Sequence, residues 1–119
     1  PQHIHEEGRY RVKGKVEAER AALIADAEAL AEAGATAIVL ELVTPAVAKE
    51  ITARIPIPTI GIGSGLDCDG QILVTHDLIG MFPWFTPKFA KPRAACGEQV
   101  RAAARAWQAD VLARAAGTR

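Results

Sequence analysis

Apolar residues along the chain change their spacing from segment to segment. From Glu17 to Ala33 they recur at helical intervals, with Leu23, Ile24, Ala27, Leu30 and Ala31 on one stripe, and Gly34 stands where a helix stops. The next run, Ala37-Ile38-Val39-Leu40, is short and rich in branched residues and ends in Glu41; it predicts a strand buried on both faces. Thr44-Pro45 then opens a helix, a hydroxyl cap followed by proline at the first helical position. That helix runs to about Arg54 with Val47 and Ile51 on one face, and Pro56 and Pro58 break it. Thr59-Ile60-Gly61-Ile62-Gly63 reads as a second buried strand. Gln71 to Thr75 fits a third strand or a helical turn. Phe82 to Phe89 is an aromatic, proline-rich connection, and Gly97 to Ala115 predicts a last amphipathic helix with Val100, Ala104, Trp107 and Val111 in helical register. Residues 1–16 keep no period and read as a loop.

Helices alternating with apolar strands give βα units and a parallel sheet. Two or three such strands cannot close a barrel or cover their own edges. The α/β fold is therefore expected to be larger than these 119 residues, which form a single partial domain. The composition is that of a globular protein, 50% hydrophobic and 24% charged, and the length allows one domain at most. No apolar run reaches the roughly 18–20 residues of a membrane span. Cys68 and Cys96 lack the number and spacing of a disulfide framework or a zinc site, so a reducing cytoplasm is the expected compartment. A formal charge of zero argues against nucleic-acid binding, although seven basic residues against two acidic ones gather from Lys88 to Arg119. Those cations read as solvated helix surface, with an anion site as the other reading.

Glu41 is the most informative residue. A carboxylate ending an Ile-Val-Leu strand sits where burial costs several kcal/mol unless it is paired or protonated. The C-terminal ends of parallel strands form the ligand face of α/β folds. Desolvation there makes a carboxylate a stronger base; hydrogen bonding to loop amides is the competing role. Gly61-Ile62-Gly63-Ser64-Gly65 ends the next strand, where glycines admit a ligand to the backbone or serve close packing. The third glycine comes one residue early for a dinucleotide fingerprint. Asp67, Asp69 and Asp77 read as turn formers, since Asp67-Cys68-Asp69-Gly70 lacks the ligand ladder of a calcium loop. His76 and Asp77, being adjacent, point to opposite faces of a strand. His3 and His5 share a side if extended, a weak metal signal.

These residues also carry a resemblance. Tyr10-Arg11-Val12-Lys13-Gly14, Ala33-Gly34-Ala35, Ile38-Val39-Leu40-Glu41 and Ile57 through Gly65 resemble the second half of the ketopantoate hydroxymethyltransferase family. So do Cys68 through Val74 with His76-Asp77, and Pro87-Lys88-Phe89-Ala90-Lys91. The resemblance implies the C-terminal part of a (β/α)8 TIM barrel of the phosphoenolpyruvate/pyruvate type, assembled as a homo-oligomer that is usually a decamer. It implies hydroxymethyl transfer from 5,10-methylenetetrahydrofolate to 3-methyl-2-oxobutanoate, a keto acid, giving 2-dehydropantoate for pantothenate synthesis. By motif position Glu41 corresponds to the general base; Gly61, Gly63, Ser64 and Gly65, from their own place at the next strand end, are the candidate substrate-binding residues. Mg2+ chelates the keto acid in this family, held by two Asp and one Glu on earlier strands. No segment here resembles those, so no metal ligand is assigned within the chain and the chain alone is expected to be inactive. Two departures are local: Gly8-Arg9-Tyr10 replaces a Gly-Gly-Tyr loop, and Lys13 stands where Gln is usual. Another 2-oxo-acid lyase of the same barrel type and a non-catalytic half-barrel piece are the alternative functions.

Overall fold

The computed structural model describes residues 4–82 and 84–117. Pro1, Gln2 and His3 lie outside them, as do Pro83 of the aromatic connection and the last two residues. Residues 1–72 and 73–119 form two compact units.

In the first unit, α1 (Ile4–Glu7) precedes α2 (Glu17–Glu32), β1 (Ile38–Glu41), α3 (Pro45–Arg54), β2 (Thr59–Ile62) and β3 (Gly70–Gln71). The strands form one parallel sheet in the order β1-β2-β3, with Ile38 opposite Thr59 and Glu41 opposite Ile62. Parallel pairing of β1 with β2 requires the chain to cross back, and α3 is that crossover. Helices α2 and α3 lie on one face of the sheet, where Ile24 and Ala27, Ile38 and Leu40, and Val47, Ala48 and Ile51 make a single buried cluster. Ile51 is fully buried, a burial that stabilises by roughly 1.5–3 kcal/mol. Above that core, Arg20 of α2 grips Glu50 of α3 with two nitrogens, Nε at 2.8 Å. The guanidinium beside it holds the Glu50 carboxyl below its ordinary range.

Helix α2 ends as the sequence predicts. Gly34 takes φ 91°, and the amides of Gly34 and Ala35 donate to Ala31 O and Leu30 O, satisfying two terminal carbonyls. Other expectations need correction. Thr44 precedes α3 without capping it; its hydroxyl donates to Gly14 O at 3.1 Å instead. Residues 1–16 are more than a loop, since they contain α1 and an extended stretch whose Lys13 pairs in parallel with Val43. The strand β1 is buried on one face only: Ile38 and Leu40 point into the helix layer, while Val39 is 58% exposed. The third strand shrinks to Gly70–Gln71, because the connection from β2 is too short for a helical crossover, and Thr75 begins a helical turn.

The second unit holds α4 (Thr75–Leu78) and α5 (Cys96–Gly117). Carbonyls of Ile79 and Gly80 accept the first amides of α5, from Cys96 and Gly97, both at 3.0 Å. Gly80, at φ 62°, cannot be anything larger, since a Cβ there would stand 2.3 Å from Ala94 O. The helix itself is regular, yet no described residue on it is buried, and Val100, Trp107 and Val111 are all exposed. Among the described residues, no helix is long and apolar enough to cross a membrane.

Candidate active site

The C-terminal ends of β1 and β2 lie side by side because Glu41 and Ile62 are register partners. Directly paired residues of parallel strands point to the same side, so Val39, Glu41, Ile60 and Ile62 share the face away from α2 and α3. Glu41 is exposed there. The Ile-Val-Leu context led one to expect a buried carboxylate, and in the described chain it is exposed instead. Glu41 stands at the C-terminal end of a parallel strand, the end at which α/β sheets present their ligand face.

The backbone beyond Glu41 is unusual. Leu42 takes φ 54°, the left-handed region that residues other than Gly, Asn or Asp seldom enter. Three hydrogen bonds fix it there: Leu42 N–H to Ile62 O (3.0 Å), Lys13 N–H to Leu42 O (2.8 Å), and Val43 N–H to Ser64 Oγ (3.0 Å). Backbone strain of this kind, about 1–3 kcal/mol, concentrates at functional sites. Sequence reasoning missed the strain at Leu42 and, although it noted Lys13 as a departure, the pairing of Lys13 with Val43. The only available signal was the Tyr10–Gly14 resemblance, which marks the segment but says nothing of its pairing with β1. Lys13 Nζ also pairs with Glu7.

The glycine-rich stretch follows β2 on the same rim, and each residue's surroundings separate the two readings left open. Gly61 shares the helix-side face with Leu40; a Cβ there would stand 3.0 Å from Cys68 Sγ and 3.0 Å from Gln71 Nε2. A Cβ on Gly65 (φ 84°) would stand 2.7 Å from Cβ of Pro45, the first residue of α3. Both glycines thus admit neighbouring protein atoms. Gly63, at φ 65°, turns the chain out of the strand. Ser64 is fully buried and its hydroxyl donates to Leu40 O at 2.7 Å. Gly63 through Gly65 follow directly on Ile62, the register partner of Glu41.

Asp67 and Asp69 lie in the loop after β2, as expected of turn residues, whereas Asp77 lies in α4 rather than in a turn. Asp69 accepts Thr59 N–H at 2.8 Å and the Thr59 hydroxyl at 3.1 Å, and these bonds hold its carboxyl below the ordinary aspartate range. Thr52 Oγ1 lies 2.8 Å from Thr59 Oγ1, so α3, the start of β2 and the 66–69 loop meet at one hydroxyl. His76 stacks on Phe82, 5.2 Å between ring centroids. Among the described residues no three of His, Cys, Asp and Glu gather into a group able to hold a metal ion. These residues by themselves do not fit Mg2+, which needs several hard oxygen ligands.

A family model described as ketopantoate hydroxymethyltransferase matches residues 1–116. The 3-methyl-2-oxobutanoate hydroxymethyltransferase of Paracoccus denitrificans (strain Pd 1222) is 49% identical over 114 residues, covering 96% of this chain and 41% of that protein. Proteins of the same name from Moorella thermoacetica and Thermotoga maritima are each 50% identical over 111 residues, 93% of this chain and 41% of theirs. The chain spans about two-fifths of the length of the curated relatives it matches. A match that runs from the first residue to within three of the last, at close to half identity, makes this chain a member of the ketopantoate hydroxymethyltransferase family.

Proposed function

We propose that residues 1–119 are part of a single (β/α)8 barrel domain, its last strands and helices, in an enzyme that makes 2-dehydropantoate from 3-methyl-2-oxobutanoate and 5,10-methylenetetrahydrofolate. The parallel order β1-β2-β3 with helices on one face supports the barrel, and the names of the relatives support the reaction. A homo-oligomer in the cytoplasm belongs to the same reading. So does Mg2+, held by residues of other strands. Residues 1–119 alone are expected to be inactive.

One observation carries the mechanism: Glu41 ends β1 on the face away from the helices, beside the Gly63–Gly65 turn. The Glu41 carboxylate takes the proton from C3 of the keto acid. The C3–H electron pair becomes a C2=C3 bond and the carbonyl pair moves onto oxygen, giving an enolate. Water releases the one-carbon unit from the folate as formaldehyde, its oxygen taking the place of the two C–N bonds and its two protons going to the nitrogens of tetrahydrofolate. C3 of the enolate then bonds to the formaldehyde carbon, the C=O pair moves onto that oxygen, and the proton held by Glu41 completes the product hydroxyl. Closing the barrel would desolvate Glu41 and strengthen it as a base.

The test is Glu41→Gln in the full-length protein, a near-isosteric change that removes the base. Exchange of the C3 proton with deuterated solvent, followed by NMR, should fall about 10²–10⁴-fold while keto-acid binding persists. Near-normal exchange would place the base elsewhere.

A further inference from the structure

Ser64 sits next to the candidate base but cannot serve substrate directly. The residue is fully buried, and its one hydroxyl proton is committed to Leu40 O at 2.7 Å while its oxygen accepts Val43 N–H at 3.0 Å. Those two backbone groups bracket Glu41 and Leu42. The bracketed pair includes the left-handed Leu42, whose conformation lacks intrinsic preference and has to be imposed by its surroundings. Ile62 O and Lys13 N–H hold Leu42 itself; Ser64 holds the residue before the pair and the residue after it.

We propose that Ser64 is a positioning residue for proton abstraction, fixing the Leu40–Val43 backbone so that the Glu41 carboxylate keeps one direction on the rim. The inference rests on reading Glu41 as the general base. Proton transfer demands placement within a fraction of an ångström, and a misplacement of about 1 Å can cost 10²-fold in rate. Without the hydroxyl, Val43 N–H is left in a buried site with no acceptor, and the segment relaxes.

The experiment uses the full-length protein with Ser64→Ala, and with Ser64→Cys, which keeps nearly the same volume and weakens both bonds. In the C3 exchange assay kcat should fall about 10- to 100-fold, with KM for the keto acid within about twofold. The Val43 amide should exchange faster with solvent than in the parent. Thr52→Val is the comparison variant: it removes a hydroxyl at the other end of β2 and should lower Tm without changing kcat. Parent-like kcat in either folded Ser64 variant, or a kcat loss in Thr52→Val as large as theirs, overturns the proposal. Glu41→Gln in the same assay separates the two claims. If it abolishes exchange while Ser64→Ala is normal, only the positioning role fails; if Glu41→Gln exchanges normally, the base assignment fails first.

Discussion

The two faces of the three-stranded sheet have been put to different uses. On one, Ile38 and Leu40 disappear beneath α2 and α3 in a continuous apolar core, with Thr59 fully buried beside them. On the other, β1 presents Val39 and Glu41 to solvent. The covered face explains why the unit folds at all. The open face has the residues that physical chemistry marks as incomplete: an exposed branched strand residue, a carboxylate at a strand end and a strained turn. On that second face Val39 and Glu41 of β1 are exposed while Ile62 of β2 is buried, so the face is uncovered mainly along β1.

The largest expected effect lies on the covered face. Ile51→Ala should cost about 2–5 kcal/mol in a denaturant titration of the full-length protein, since a fully buried side chain leaves a cavity. A loss under about 0.5 kcal/mol, the range of surface changes, would mean the α3 packing is wrong. Gly65→Ala comes next, at about 1–3 kcal/mol, because the new Cβ would collide with Pro45 in a backbone region that disfavours side chains. The open face gives the sharper contrast. If barrel closure buries Val39, then Val39→Ala removes two methyl-sized groups from a core and should cost about 1.5 kcal/mol. No measurable cost would mean that this face stays wet, and the two faces would differ for some other reason.

The smallest effect is a matter of pH. Asp69 has a carboxyl held below its ordinary range, so the unfolded chain binds that proton more readily than the folded one. The stability it contributes is present above the ordinary aspartate pKa, near 4, and is lost as pH falls through the lowered folded value. Asp69→Asn should therefore flatten part of the acid limb of stability below about pH 4. Superimposable acid limbs for the two proteins would contradict this.

How much of this could be read from the sequence depended on where each residue's partner lay. Gly34 ended α2 as expected because its partners, Leu30 and Ala31, are within a turn. The apolar runs gave both strands and their parallel arrangement, since period and order suffice for that. Thr44 failed as a cap because Gly14, thirty positions away, takes its hydroxyl. Separations of more than twenty positions likewise hid the Lys13 pairing and the Ser64 bridge to Leu40 and Val43, which local pattern cannot reveal. Burial of β1 was overestimated for a different reason: an Ile-Val-Leu run reports what the finished fold covers, and within 1–119 only one face has a cover. The last helix forms where the spacing predicts it, but its stripe of Val100, Trp107 and Val111 is exposed throughout, so nothing in the described residues shows that stripe to be a packing face.

The barrel-wedge claim is tested most directly by residues 1–119 expressed alone, followed by sedimentation and thermal melting. The open face and unpaired edges should leave too much apolar surface and too many backbone groups in water for a stable monomer. The predicted result is association or a broad, weakly cooperative melt, with cooperative unfolding regained on mixing with a chain carrying the rest of the barrel. A monomer with a single sharp transition would mean that this sequence closes its own core, and would contradict the claim.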